Sequence, residues 1–139
     1  MRSQKGFTLV ELMIVVAVMA IMSAFAFPAF QDWMVKNRLN GAARQVMSDL
    51  MEARMKAVKE NTTVTVARLN GSDHEYKIST ASEEKTIDIK LNYHDVDITS
   101  FSSISFSSRG TASPGGIALT NSSGSKSITI SSAGRVKIN

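Results

Sequence analysis

Few side chains in this sequence are placed to do chemistry, and the first is an acid in an apolar run. Glu11 is the one charged residue between Phe7 and Phe30. A carboxylate at mid-bilayer costs roughly 2.5 to 3.5 kcal/mol on insertion scales, and less in the first turns, nearer the interface. Two roles fit it. Thr8-x-x-Glu11 has the spacing of a capping box, in which each side chain bonds the other residue's backbone N–H at a helix start. Alternatively, Glu11 pairs with a positive group on another chain, most simply a freed amino terminus at Phe7.

The remaining candidates lie far down the chain. His74 and His94 are the two imidazoles. His74 sits beside a turn and reads as a surface residue. His94-Asp95-Val96-Asp97 offers oxygen and nitrogen donors, but two carboxylates in a loop are ordinarily solvated, and no metal ion or cofactor is expected. Arg135 and Lys137 alternate near the carboxy terminus and are expected to point outward together, as an ordinary polar strand face or as a phosphate-binding pair. Absent are a phosphate-cradling glycine loop, a nucleophile elbow and a His-Glu-x-x-His run, so nothing here supports an enzyme.

Three kinds of element must carry these residues. The sequence opens with a short basic stretch, Met1 to Gly6, followed by the apolar run from Phe7 to Phe30. As a helix that run would measure about 36 Å, enough to cross a hydrocarbon core of about 30 Å. It is longer than the apolar part of a secretory signal, and the small residue Gly6 precedes it. A cut is therefore expected before the run, with the helix retained. Arg2 and Lys5 keep the amino end cytoplasmic under the positive-inside tendency, and the export-type composition of the rest agrees.

Pro28 lacks an N–H, so a bend is expected there. Beyond it Leu39, Ala43, Val46, Leu50, Ala53 and Ala57 recur at spacings of four and three, an apolar stripe that Met47, Met51 and Val58 widen. The methionines read as flexible core filler, since no His or Cys joins them. Gly41 marks a weak point in the helix, Arg54 and Met55 fit no face cleanly, and the helix is expected to end near Glu60 or Asn61.

From Asn61 onward the chain is rich in Ser, Thr and Gly, with short alternating runs. Seven strands are expected, around residues 62–67, 75–78, 86–91, 104–106, 116–119, 127–130 and 135–138. Asn70-Gly71 predicts a two-residue hairpin, and Ser122 to Ser125 a turn. The alternation places Ile87, Ile89, Leu91, Ile128, Ile130, Val136 and Ile138 on buried faces. The fold class is α+β: a long amino-terminal helix packed, along its amphipathic half, on one or two small antiparallel sheets.

Lys5-Gly6-Phe7-Thr8-Leu9-Val10-Glu11-Leu12 resembles the processing site of type IV pilins and type II secretion pseudopilins. The resemblance implies that a prepilin peptidase cuts between Gly6 and Phe7 and methylates the new amino group of Phe7. It further implies that Glu11 neutralises a neighbour's terminal amine during assembly, and that Pro28 is the family's helix-kink proline. Ser107-Ser108-Arg109-Gly110-Thr111 and Ser127 to Val136 resemble the end of the GspH/FimT family. That implies a minor pilin or minor pseudopilin near a filament tip that helps initiate assembly, with other pilin subunits as partners. Some FimT-like pilins bind DNA through a carboxy-terminal Gly-Arg-x-Arg motif, to which Gly134-Arg135-Val136-Lys137 is similar, with Lys for the second Arg. The organisation expected is a leader at 1–6, a membrane and filament-core helix at 7–30, an amphipathic helix at 31–60 and a head at 61–139. A single-pass protein of the bacterial inner membrane follows, its head in the periplasm until assembly.

Composition removes other classes. There are no cysteines, hence no disulfide framework and no thiolate metal site. The formal charge is +4, from 16 basic and 12 acidic residues. Without Arg2 and Lys5 it falls to 14 basic against 12 acidic, which argues only weakly for a polyanionic partner.

Overall fold

The computed structural model describes residues 7–139, and the chain divides into two compact units, Met1–Met34 and Val35–Asn139. One helix, α1 (Leu9–Lys59), enters both and runs through Pro28, so the proline does not end it. In the first unit its apolar side chains, from Leu9 to Phe30, are exposed.

In the second unit the stripe read from spacing is the buried face. Leu39, Ala43, Val46, Leu50, Ala53 and Ala57 are all in the core, joined by Ala42. Four of the seven are alanines, so the sheets approach the helix backbone closely. Met51 and Val58, expected to widen that face, are instead exposed, at 40% and 50%. The helix closes with a Schellman motif. Asn61 adopts a left-handed conformation (φ 49°), Thr62 N donates to Ala57 O at 3.1 Å and Asn61 N to Val58 O at 3.4 Å.

The helix is covered by two four-stranded antiparallel sheets. The first is ordered β3-β2-β1-β5, from β1 (Val64–Arg68), β2 (Glu75–Ser79), β3 (Glu84–Asp88) and β5 (Ile104–Phe106). The second is ordered β4-β6-β7-β8, from β4 (Asp97–Phe101), β6 (Gly115–Asn121), β7 (Gly124–Ile130) and β8 (Val136–Ile138). Their inward residues, among them Val64, Val66, Ile98, Phe106, Ile117, Leu119, Ile128 and Ile130, close one core on the alanine face.

Four expectations need correction. Alternation does not reveal the strand β4, because its register shifts between Ile98 and Ser100. That irregularity puts buried Ile98 and half-buried Phe101 three apart and spoils the period of two. The run 86–91 is not one strand: β3 stops at Asp88, whose side chain accepts from Lys90 N at 2.8 Å and caps a 3₁₀ turn, Ile89–Leu91. That turn buries Ile89 and turns Leu91 out to 82% exposure, so Leu91 is not a core residue. Asn70-Gly71 does lie in the β1–β2 connection, but the last strand pair there is Arg68 with Tyr76, so the loop is longer than two residues. Gly41, a weak point by helix propensity, has a packing role besides: a Cβ there would meet Tyr93 Cε1 at 2.6 Å, so its hydrogen lets the Tyr93 ring lie on the helix.

Polar contacts tie helix to head at the start and in the middle of the second unit. Asn121 Nδ2 donates to Val35 O at 2.9 Å, and the Arg38 guanidinium pairs with Asp95 at 2.7 Å. Midway, the buried Tyr76 hydroxyl donates to Asp49. Burial raises the pKa of both groups, and the shared hydrogen bond pulls Asp49 partly back.

Candidate functional site

The amino-terminal candidates sit at the start of α1. Gly6 and the rest of the leader, 1–6, lie outside the described residues, and Phe7 is exposed. Thr8 is the N-cap, and the capping box is formed. Glu11 N donates to Thr8 Oγ1 at 3.3 Å, while Thr8 N and Oγ1 donate to Glu11 Oε2 at 3.0 and 2.9 Å. Both bonds to the carboxylate fall on Oε2. Among the described residues Oε1 has no hydrogen-bond partner, so the capping role leaves one acceptor oxygen for a further donor. The two readings of Glu11 are therefore compatible.

At the far end of α1 the structure gathers residues that the sequence leaves scattered. Arg54 Nε donates to Gly110 O at 2.9 Å and Nη2 to Ala133 O at 3.4 Å. Gly110 (φ 77°) and Gly134 (φ 73°) each turn the chain in the left-handed region. A Cβ on Gly134 would meet Gly110 O at 2.1 Å and Arg54 Nε at 2.9 Å. The two stretches that carry the carboxy-terminal resemblance thus meet on one arginine. Gly110 and Gly134 stand inside those motifs and are the available signal; Arg54 itself fits no face of the helix by spacing.

The turn at Gly134 also presents the basic pair. Ser131 N donates to Arg135 O at 3.0 Å and Gly134 N to Ser131 O at 2.8 Å, closing the β7–β8 hairpin. Arg135 and Lys137 flank buried Val136, are exposed, and line a shallow depression with Thr129, Ile130 and Ser131. Neither forms an ion pair among the described residues.

The acids of the His94-Asp95-Val96-Asp97 stretch do not converge: Asp95 serves Arg38, and Asp97 pairs with Lys90 Nζ at 2.7 Å. His74, Glu75 and Asp88 come closer, with donor atoms within 4.8 Å of one another. Two of them are already engaged, His74 Nδ1 with Asp73 Oδ1 at 2.7 Å and Asp88 with its cap. The bond from His74 holds the Asp73 carboxyl below its ordinary range, and Asp97 raises the Lys90 ammonium.

A long amino-terminal helix, apolar and exposed first and then packed under two small antiparallel sheets, defines the α+β pilin class. Comparison with known proteins agrees. Residues 42–134 match the family described as type II transport protein GspH, and residues 1–27 the prokaryotic N-terminal methylation motif. The chain belongs to the GspH family. It is similar to a fimbrial protein of Pseudomonas aeruginosa, 40% identical over 78 residues, 56% of this chain and 49% of that one. It also resembles the type IV major alpha-pilin of Moraxella bovis, 33% identical over 101 residues, 73% of this chain and 63% of that one. The chain spans about half the length of the first of these curated relatives. Its fold is that of the type IV minor pilin FimU of Pseudomonas aeruginosa, with a TM-score of 0.60 at 20% identity, over 75% of this chain and 90% of that one.

Proposed function

We propose that this chain is a structural subunit, not an enzyme, of a type IV pilus or type II secretion pseudopilus, where it acts as a minor component in initiating assembly. The observation that carries the reading is the exposed apolar stretch of α1, most of it within the match to the methylation motif. Such a helix needs either lipid or other copies of itself around it, and a filament subunit meets both in turn. Before assembly it spans the inner membrane, with the head in the periplasm. Prepilin peptidase cuts between Gly6 and Phe7 and methylates Phe7. Glu11 then offers Oε1 to the terminal amine of a neighbouring pilin while Oε2 keeps its own helix capped. Pro28 supplies a kink within the helix. The test is fractionation of cells that express the chain: it should co-purify with sheared filaments or with the pseudopilus, and presence in the membrane fraction alone would count against the proposal.

A second reading, DNA capture during uptake, is favoured by one observation, the exposed Arg135 and Lys137 on one depression. They neutralise about two phosphates, so the salt slope of binding should be shallow, roughly −0.9 per phosphate contacted. Gel-shift titration of the head, residues 29–139, against Arg135→Ala/Lys137→Ala at low salt decides it. Equal shifts for the two proteins, or none, remove the reading.

A further inference from the structure

One surface of the head is apolar and basic. A groove at the end of α1 is lined by Arg54, Met55, Val58, Lys59, Arg109 and Gly110. Met55 is 66% exposed and Val58 half exposed, while Leu50, Ala53 and Ala57 on the same stretch of helix are buried. Lys59 and Arg109 form no salt bridge among the described residues, and with Glu60 next in the chain the local balance stays positive. Arg54 is spent on carbonyls, not on an acid.

Another surface is apolar and acidic. Leu91 stands at the tip of the 3₁₀ turn, the most exposed large apolar side chain of the described residues. Asp88 caps its turn, and Asp73 and Asp97 flank neighbouring Lys90 at 3.7 and 2.7 Å. Glu75 lies opposite Asp88 in the β2–β3 register. Four carboxylates against Lys90 and Arg68, the latter bonded to Ser72 O beside Asp73, leave this surface negative.

The two surfaces are held apart by the first sheet. Leu91 follows β3, at one edge, and Arg109 follows β5, at the other. Because β3 and β5 run in opposite directions, the two sites lie at opposite ends of the strands as well. Three strand spacings across, and five residue steps along between the levels of Asp88 and Phe106, separate them by about 14 Å in one direction and at least about 17 Å in the other. On one chain they cannot meet.

We propose that Leu91 and its acidic surround dock into the Met55/Val58 groove of a second copy of this chain, a head-to-tail contact between heads. Charge complementarity favours this occupant: the apolar tip arrives carrying negative charge, and the groove that receives it is rimmed by Lys59 and Arg109, which have no salt bridge among the described residues. A contact between two different patches does not close on itself unless its rotation does so, and repeated it extends into a helical array. It rests on the filament-subunit reading above, for which two touching copies make the smallest nucleus.

The absence of cysteine makes the test direct. Both positions are exposed, so Leu91→Cys and Met55→Cys leave the core unaltered. Full-length chain carrying both should form a ladder of disulfide-linked dimers, trimers and larger species in membranes under mild oxidation. Either substitution alone should not. Lys59→Glu/Arg109→Glu in the double variant should lower the cross-linked fraction about tenfold, with the thermal unfolding of the detergent-solubilised chain unchanged. No cross-link, a product that stops at dimer, a disulfide between two copies of the Leu91→Cys single variant, or insensitivity to charge reversal would each overturn the contact. A chain that enters filaments without forming the ladder leaves the subunit reading standing; one that forms the ladder but never enters a filament removes that reading and keeps the contact.

Discussion

The carbonyl of Gly110 is held by Arg54 at 2.9 Å and faces Gly134 so closely that no side chain fits between them. One helical arginine thereby joins two loops, after β5 and after β7, that lie far apart along the chain. Arg109 and Arg135, the exposed cations of those loops, owe their positions to this junction.

Gly134→Ala should therefore be among the most damaging single-methyl additions in the head. A left-handed alanine costs roughly 1 to 2 kcal/mol by itself, and the new Cβ must also displace the Gly110 carbonyl at 2.1 Å. Gly71→Ala is the control: its φ is also positive, at 83°, yet nothing lies within 4 Å of the added methyl. Urea unfolding of the detergent-solubilised chain should show a loss of at least about 3 kcal/mol for the first and about 1 for the second. Equal losses would mean that the junction yields.

Asp49 should make the head less stable as pH rises. Burial raises its folded pKa above the ordinary 3.8, so the folded state holds the proton more tightly than the unfolded one. That contribution is fully present below the unfolded pKa and is lost as pH climbs through the folded pKa. Asp49→Asn keeps an acceptor for the Tyr76 hydroxyl and removes the titration. Its advantage in Tm over the parent should be absent near pH 3 and grow to a plateau in the neutral range. A difference independent of pH would contradict the assignment.

Glu11 can be dissected with two variants. Glu11→Gln retains the reach to Thr8 N and the capping box while losing the charge, whereas Glu11→Ala loses both. If the carboxylate pairs with an amine, both should insert into the membrane normally and both should fail to enter filaments. If the cap is what matters, filaments recovered by shearing should contain Glu11→Gln at the parent level.

Processing is checked by mass. The mature chain should begin at Phe7, one methyl group heavier than its sequence, and Gly6→Leu should leave the six-residue leader attached. An intact mass starting at Met1 in the parent, or a cut after Ala20 or Ser23, would contradict the assignment.

The helix was legible because its signal is periodic and local: every residue of the stripe read by spacing is buried, and Ala42 alone was missed. The number and pairing of the strands were harder. In β4 an irregularity placed its two inward residues three apart, and at Leu91 a short side-chain cap ended the strand that alternation would have continued. Both are decided by one bond or one extra residue, which a period-two pattern does not register. The capping box at Thr8 and Glu11 was readable because its partners are three residues apart. The Arg54 junction was not, since its partners lie 56 and 79 residues away and are backbone carbonyls, which every residue type offers equally.

The polar ties along α1 bear on how the head carries mechanical load. Asn121 holds Val35 and Asp95 holds Arg38 at one end, Tyr76 holds Asp49 in the middle, and two loops hold Arg54 at the other. From Val35 to Arg54 is about 28 Å of helix at 1.5 Å per residue. A pull along the helix axis loads these ties in parallel, as shear, together with the alanine seam between them. Bonds strained side by side must give way together, whereas a pull across the axis would open them one after another. The head is built to resist traction along its helix and to peel when tugged from the side.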